Sequence, residues 1–415
     1  MKNQPAQPAA GALSHIRVLD LSRVLAGPWA SQTLGDLGAE VIKVERPGRG
    51  DDTRLWGPPF LKDRKGADTR DSAYFLCANR NKKSVAIDFT TAAGQALVRE
   101  MAKRCDVLIE NFKVGSLAQY GLDYAALHAI NPRLVYCSIT GFGQTGPYAE
   151  RAGYDFLMQG MGGLMSITGR ADGEKGAGPI KVGVALTDIL TGLYASTAIL
   201  AALQSRDLTG MGQHIDLALL DVQVACLANQ GMNYLYGGSP KRMGNAHPNT
   251  VPYQDFATKD GFMILAIGND GQFGNFCRAV GHAEWADDAR FKTNTDRIAH
   301  RVALIALMRE LTVTRNTAEW IALFEKVGVP CGPINTIADV FEDPQVKARG
   351  TQIHMTHPVA GEIPLVASPL RMSRTPVRYR HAPPLLGQDT RDVLADMVGM
   401  SPEAITDLIK QGVVT

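Results

Sequence analysis

"HIRVLDLS", His15 to Ser22, is a β-rich run; "AGPWASQTLGDLGA", Ala26 to Ala39, is a small-residue helix opening on Pro28; "EVIKVE", Glu40 to Glu45, is β-rich again. Strand, helix and strand in so short a stretch make a βαβ unit, and βαβ units build parallel sheets. Downstream, Gly48 to Asp71 is rich in glycine, proline and charge and reads as a mobile loop. The alternation then resumes through "KSVAIDF", "AAGQALVREMAKR", "DVLIENF" and "RLVYCSITGFG". Four or more strands alternating with helices predict an α/β fold with a Rossmann-like parallel sheet.

In such a sheet the ligand lies beyond the carboxyl ends of the strands. The loops to watch are therefore Ser22 to Pro28, Glu45 to Gly48, Asp88 to Thr90, Asn111 to Ser116 and Thr140 to Pro147. The first turn, "SRVLAGPWAS", lacks G-x-G-x-x-G, and no G-x-x-x-x-G-K-[ST] occurs anywhere. Nicotinamide, flavin and P-loop nucleotide chemistry lose support.

Further on, "GVALTDILTGLYASTAILAALQS", Gly183 to Ser205, predicts a long, deeply packed helix of small apolar residues, followed by a strand at "HIDLAL". "GGSPKRMGNAHPNTVPYQDF" is irregular, "MILAIG" reads as a strand, and helices fill Gly271 to Val327. The expected organisation is a large domain begun by residues 1–200, a smaller α/β domain at 220–325, and a tail at 340–415 that returns to the large domain. That tail holds a strand pair in "HPVAGEIPLVASPL" and two short helices ending near Lys410.

The 415 residues are 45% hydrophobic and 20% charged, enough for two domains with substantial cores. With 43 basic and 41 acidic residues the formal net charge is +2, which gives no field to attract nucleic acid or an anionic membrane. Small-molecule chemistry becomes the better prior. The cysteines Cys77, Cys105, Cys137, Cys226, Cys277 and Cys331 are widely spaced, so neither a metal site nor a disulfide framework is expected. The opening, MKNQPAQPAAGALSH, lacks a secretory core and no later run reads as long and apolar enough to span a bilayer, which predicts a reduced, cytoplasmic protein with a loose N-terminus.

One acidic residue stands out in "GYDFLMQGMGGLMSITG". Asp155 sits where a helix begins, and a capping aspartate is the plain reading. On one side lies "TGFGQTGPY" and on the other "GMGG". Gly141, Gly143, Gly160 and Gly163 can admit a bulky ligand close to the backbone, or serve only turns and helix packing. No G-x-S-x-G elbow exists and no histidine sits in a motif that nominates a base, so a serine-hydrolase triad has no support.

Together, "VLDLSRVLAGPWASQTLGDLGAEVIKVERPGRGD", "CANRNKKSVAIDF", "DVLIENF", "SITGFGQTGPYAERAGYDFLMQGMGGLMSITG" and "GVPCGPINTIADVFEDPQV" resemble the class III CoA-transferases, the formyl-CoA transferase type. The resemblance runs from about Ile16 to Val414. It implies an acyl-CoA and a carboxylic acid as substrates and no permanently bound cofactor. It also implies an open-ring chain, two copies of which interlock as a homodimer. Asp155 becomes the nucleophile by this resemblance, attacking the donor thioester to give a mixed anhydride and then an aspartyl-CoA thioester. The implied CoA contacts are Leu25 and Ala26 after the first strand, Arg46 after the second, Ile87, Asp88, Phe89 and Thr90 around the adenine, Asn111, Phe112, Lys113 and Gln119, and Thr140, Gly141, Phe142 and Gly143 near the pantetheine.

Three departures bear on these contacts. The formyl-CoA type has basic side chains where Thr90, Gln119 and Thr140 stand, leaving Arg80, Lys82, Lys83 or Lys113 to compensate, although "RNKK" reads more plainly as a solvated basic loop. The related α-methylacyl-CoA racemases carry Gly-His-Asp where this chain has Gly153-Tyr154-Asp155, and a tyrosine with a pKa of about 10 is a poor proton trader at neutral pH. Asp188 matches another racemase acid, but transferases carry one there too, and a partner for a helix end explains it equally well. In place of the family's glycine-rich lid stands "YGGSPKRMGNAHPNT", Tyr236 to Thr250.

"MSITG", "NYLYG", "VPYQDF" and "GNDGQF" are most similar to succinyl-CoA:glutarate and related dicarboxylate CoA-transferases. A second carboxylate on the acceptor needs a cation, for which Arg242, Lys241 and Arg170 are candidates. A racemase of the same fold and a non-catalytic CoA binder are the alternatives.

Overall fold

A computed structural model describes residues 11–415; the Pro/Ala-rich opening, read as loose, lies outside the described residues up to position 10. The described chain divides into two units, one formed by residues 11–162, Val182–Ala228 and Gln345–Thr415, the other by Gly163–Lys181 and Asn229–Pro344.

The first unit is built on β1 (Arg17–Asp20), β2 (Glu40–Glu45), β3 (Lys82–Ala86), β4 (Val107–Glu110), β5 (Val135–Thr140) and β6 (His214–Ala218). They lie in the order β3-β2-β1-β4-β5-β6, and every pair is parallel. Alternation along each strand feeds two cores. Val18, Val41, Val107 and Val135 face α1 (Ala26–Asp36) and the long helix α2 (Leu186–Thr209). Leu19, Ile42, Leu108 and Tyr136 face the helix Ala92–Ala102 and the segment Val393–Val414. Both faces are covered, which is why these strands read as continuous apolar runs. Each fully buried aliphatic side chain contributes about 1.5–3 kcal/mol.

The helix α1 has Leu25 at its N-cap, so Pro28 falls at the third helical position. Small residues let α1 and α2 approach closely: a Cβ added at Gly192 would lie 2.8 Å from the Ala26 carbonyl oxygen. By length and composition α2 could cross a membrane, against the expectation that no run could. Its buried face, with Gly192, Ala195, Ser196, Ile199 and Ala202, belongs to the sheet core instead.

The C-terminal segment closes the outer edge. Ile87 bridges Val414 in antiparallel fashion, the Asp88 amide donates to the Val413 carbonyl at 2.8 Å, and the Ser84 amide donates to Asp389 at 2.9 Å. The stretch read as a mobile loop is ordered as well. It contains a 3-10 turn at Asp52–Leu55 and a hairpin of Phe60–Lys62 with Asp68–Ser72. Buried charge is the reason: Arg54 pairs with Glu45 at 2.7 Å and Asp71 at 2.5 Å, and lies 3.7 Å over the Phe75 ring.

In the second unit the antiparallel strands Cys331–Pro333, Phe262–Ala266 and Tyr253–Ala257 pair in that order. Phe256, Met263, Phe273, Phe276, Trp320 and Phe324 form its core. Arg297 is fully buried there, capping the Val251 and Phe291 carbonyls at 2.6 and 2.9 Å and pairing with Asp270 at 2.7 Å.

Candidate active site

Strand order reverses between β1 and β4, so their carboxyl ends diverge and leave a crevice. Two cavities open there, of about 370 and 440 Å³, sharing Arg23, Arg49, Asp52 and Phe112 in their walls. Arg46, Ile87, Asp88, Phe89, Thr90 and Gln119 line the first cavity. Leu25, Ala26, Asn111, Lys113, Thr140 and Gly141 line the second. Phe142 and Gly143 line neither. Phe142 packs edge-on against Tyr148 with Arg151 5.2 Å above its ring, and the Gly143 amide donates to Thr140 Oγ1 at 2.9 Å.

The turn after β1 is held from outside itself at Ser22, Arg23 and Val24. Lys43 Nζ donates to the Ser22 carbonyl at 2.8 Å. Asn111 accepts from the Arg23 amide at 2.9 Å and donates to the Arg23 carbonyl at 2.6 Å. Its amide is thus spent on the protein rather than offered to a ligand. Asp51 accepts from the Val24 amide at 3.2 Å, and Val24 has φ +71°.

The basic run behaves differently from its reading as a solvated loop. Arg80 pairs with buried Asp36 at 2.5 Å, Lys82 with buried Asp20 at 3.2 Å, and Lys83 with Glu40 at 2.7 Å. Burial depresses Lys82 to about 8 despite the Asp20 charge. Of the four compensating candidates only Lys113 lines a cavity. Arg23 and Arg49, which sequence reasoning passed over, line both. Their signal was position: Arg23 lies in the loop after β1, and Arg49 one residue beyond the loop watched after β2.

The two carboxylates divide their tasks in a way that local sequence could not show. Asp155 is the first residue of the short helix α3 (Asp155–Met161), whose N-cap is Tyr154, so it does not cap its own helix. Its carboxylate is 8% exposed by residue, and accepts from Thr187 N at 2.7 Å, Asp188 N at 3.3 Å and Gln159 Nε2 at 2.7 Å. Asp155 therefore caps the start of α2, and it lines neither cavity.

Asp188, in the first turn of α2, does line the second cavity. Among the described residues its carboxylate has no hydrogen-bond or ion-pair partner. Burial, and next the charge of Asp155, push it up to about 7. Asp155, the nucleophile implied by the resemblance, has its oxygens taken up by three donors, while those of Asp188 are free beside the cavity. Tyr154 is exposed at the cavity rim. Gly141 and Gly153 bring the two loops together, since a Cβ on Gly141 would lie 2.8 Å from Gly153 Cα. Gly160 and Gly163 line neither cavity.

In the second unit Arg242 is paired with Asp172, and Arg170 donates to the Lys175 carbonyl at 3.2 Å. Lys241 lines a separate cavity of about 600 Å³ with Asn233, Asn249 and Arg301. Among the described residues no cluster of three or more His, Cys, Asp or Glu side chains could hold a metal, and the six cysteines are free thiols.

A model of the family described as CoA-transferase family III matches residues 13–390. The succinate–glutarate CoA-transferase of Agrobacterium fabrum is 52% identical over 93% of this chain and 95% of its own. The human succinyl-CoA:glutarate CoA-transferase is 45% identical over 97% of this chain and 90% of its own. A crystal structure of a CAIB/BAIF family protein from Brucella suis superposes with a TM-score of 0.81 at 52% identity, over 94% of this chain and 100% of that one.

Proposed function

The chain belongs to CoA-transferase family III and is a CoA-transferase, and from that premise we propose that it moves coenzyme A from succinyl-CoA to glutarate or a similar small dicarboxylate, with Asp188 as the attacking carboxylate. The observation that carries the assignment is the pair of aspartates: Asp188 lines the cavity unpartnered, whereas Asp155 holds three donors.

An Asp188 oxygen adds to the thioester carbonyl, the C–S bond breaks, and CoA leaves as thiolate, giving a mixed anhydride of Asp188 and succinate. The thiolate then attacks the Asp188 acyl carbon and expels succinate, forming an aspartyl-CoA thioester. The acceptor carboxylate attacks that thioester and expels the thiolate. The thiolate finally attacks the acceptor's carbonyl carbon and frees Asp188. One thioester is exchanged for another, so no ATP is consumed. In this reading the first cavity takes the nucleotide, with Arg23, Arg46 and Arg49 beside its phosphates, and the second takes the pantetheine arm past Leu25, Ala26 and Gly141 to Asp188.

The working form is a homodimer of interlocked open rings, with the N-terminal sheet and the C-terminal tail together forming the large CoA-binding domain. Exposed Phe156, Leu157 and Met161 on α3 and Leu193, Tyr194 and Leu200 on α2 support a partner surface. Six free thiols suit a reducing, cytoplasmic setting.

The test is intact-protein mass spectrometry after incubation with succinyl-CoA, then hydroxylamine treatment and peptide mapping. A CoA-sized adduct or hydroxamate on the peptide bearing Asp188, lost in D188A and retained in D155A, is the expected result. Modification of the Asp155 peptide instead would return the nucleophile's role to that residue. No adduct and no exchange with any dicarboxylate would sink the transferase reading as a whole.

A further inference from the structure

Val24 is a β-branched residue at φ +71°, a backbone conformation such side chains strongly resist. It lies in the wall of the cavity that Asp188 enters, and residues held in sparsely populated conformations persist only where their surroundings over-determine them. The surroundings here are specific. Asp51 accepts the Val24 amide with both oxygens, at 3.2 and 3.3 Å. Asp51 is in turn fixed by Lys43 at 2.9 Å, in a pair whose side chains are 1% and 0% exposed, and by Thr53 N and Oγ1 at 3.0 and 2.8 Å. Lys43 reaches back to the same turn through the Ser22 carbonyl at 2.8 Å.

We propose that the buried Lys43–Asp51 pair is a positioning device for the acyl-CoA site: it locks Val24 in the left-handed conformation before substrate arrives, so that Val24, Leu25 and Ala26 form a preset wall. This rests on the cavity being the acyl-CoA site. Preorganisation of this kind lowers the ordering cost of binding. Glycine accepts the same backbone conformation without strain, so the clamp becomes dispensable when residue 24 is glycine. That interdependence separates a positioning role from a general contribution to the fold, because a general contribution is lost to the same extent in either background.

The experiment is a double-mutant cycle on CoA binding by calorimetry, with D51N, V24G and the pair. D51N alone is expected to weaken CoA binding tenfold or more, and the same change in the V24G background less than threefold. Equal factors in both backgrounds would overturn the proposal. Absence of CoA binding by the parent protein would instead overturn the function on which it rests, and the inference with it. Should D51N fail to fold, hydrogen exchange on the unaltered protein decides. A Val24 amide protected without CoA supports the lock; one that exchanges freely until CoA is added overturns it.

Discussion

Ionising Asp188 is costly in the folded protein and cheap in the unfolded one. Its carboxyl is pushed up to about 7 by burial and by Asp155, while the start of a helix pulls the other way. Attack needs the ionised form, so the rate of thioester exchange should rise with pH through about 7 and level off above it, which a pH profile of single-turnover exchange would show. The linkage has a definite sign. A folded value raised above the unfolded one favours folding below the unfolded value, and that advantage is lost as pH rises through about 7. D188N, which cannot ionise, should therefore melt above the parent at pH 8, by an amount worth ~2–4 kcal/mol, and lose this margin by pH 4. Identical melting curves at pH 8 would mean that Asp188 is not held against its charge. The sequence offered Asp188 only as an acid that racemases and transferases both carry, and it did not separate that residue from Asp155, the carboxylate nearest the glycine loops. What distinguishes them is which one answers the amides of residues 187 and 188, a contact across 32 residues of chain.

At the scale of elements, α2 begins on a borrowed cap. Its own N-cap residue, Ala185, offers no side-chain acceptor, and Asp155 supplies one. D155A should destabilise the protein by about 1–2 kcal/mol and also lower turnover, because the turn that carries Asp188 frays; D155N, which keeps an acceptor, should lose less of both. Denaturant titration and steady-state exchange on the two variants check this together. The contact between α1 and α2 gives an independent prediction: G192V should cost ~1–3 kcal/mol by overpacking, since even a Cβ there meets the Ala26 carbonyl oxygen at 2.8 Å and Trp29 at 2.9 Å.

The strands and long helices of the first unit were legible because apolar runs and small-residue periodicity are local properties. Arg54, Arg80 and Lys82 were not. Their charges are buried against Glu45, Asp36 and Asp20, and a basic residue looks the same on the page whether water or a carboxylate surrounds it. The hairpin at Phe60–Lys62 and Asp68–Ser72 was hidden for the same reason, since it hangs on Arg54 and its partners.

For the molecule as a whole, the wall of the first cavity is assembled from distant parts of the chain. The Ile87–Thr90 loop is pinned by the Val413 carbonyl and the bridge to Val414. Deleting Val413–Thr415 should raise the KM for acyl-CoA several-fold while leaving kcat within about twofold, and an unchanged KM would show that the loop stands without its support. If the exposed apolar faces of α2 and α3 meet a second copy, sedimentation should give twice the chain mass, and Leu193→Lys with Tyr194→Lys should shift it towards the monomer.

That closure of the sheet edge also sets a clock on synthesis. β3 hydrogen-bonds to a side chain 305 residues further along, so a ribosome adding ~5–20 residues per second leaves this edge unpaired for roughly 15–60 s. During that interval the nascent chain carries an open strand edge of the kind that recruits other chains. Yield in a cell should then depend on temperature and on chaperones that shield such an edge, more than on the equilibrium stability of the finished protein.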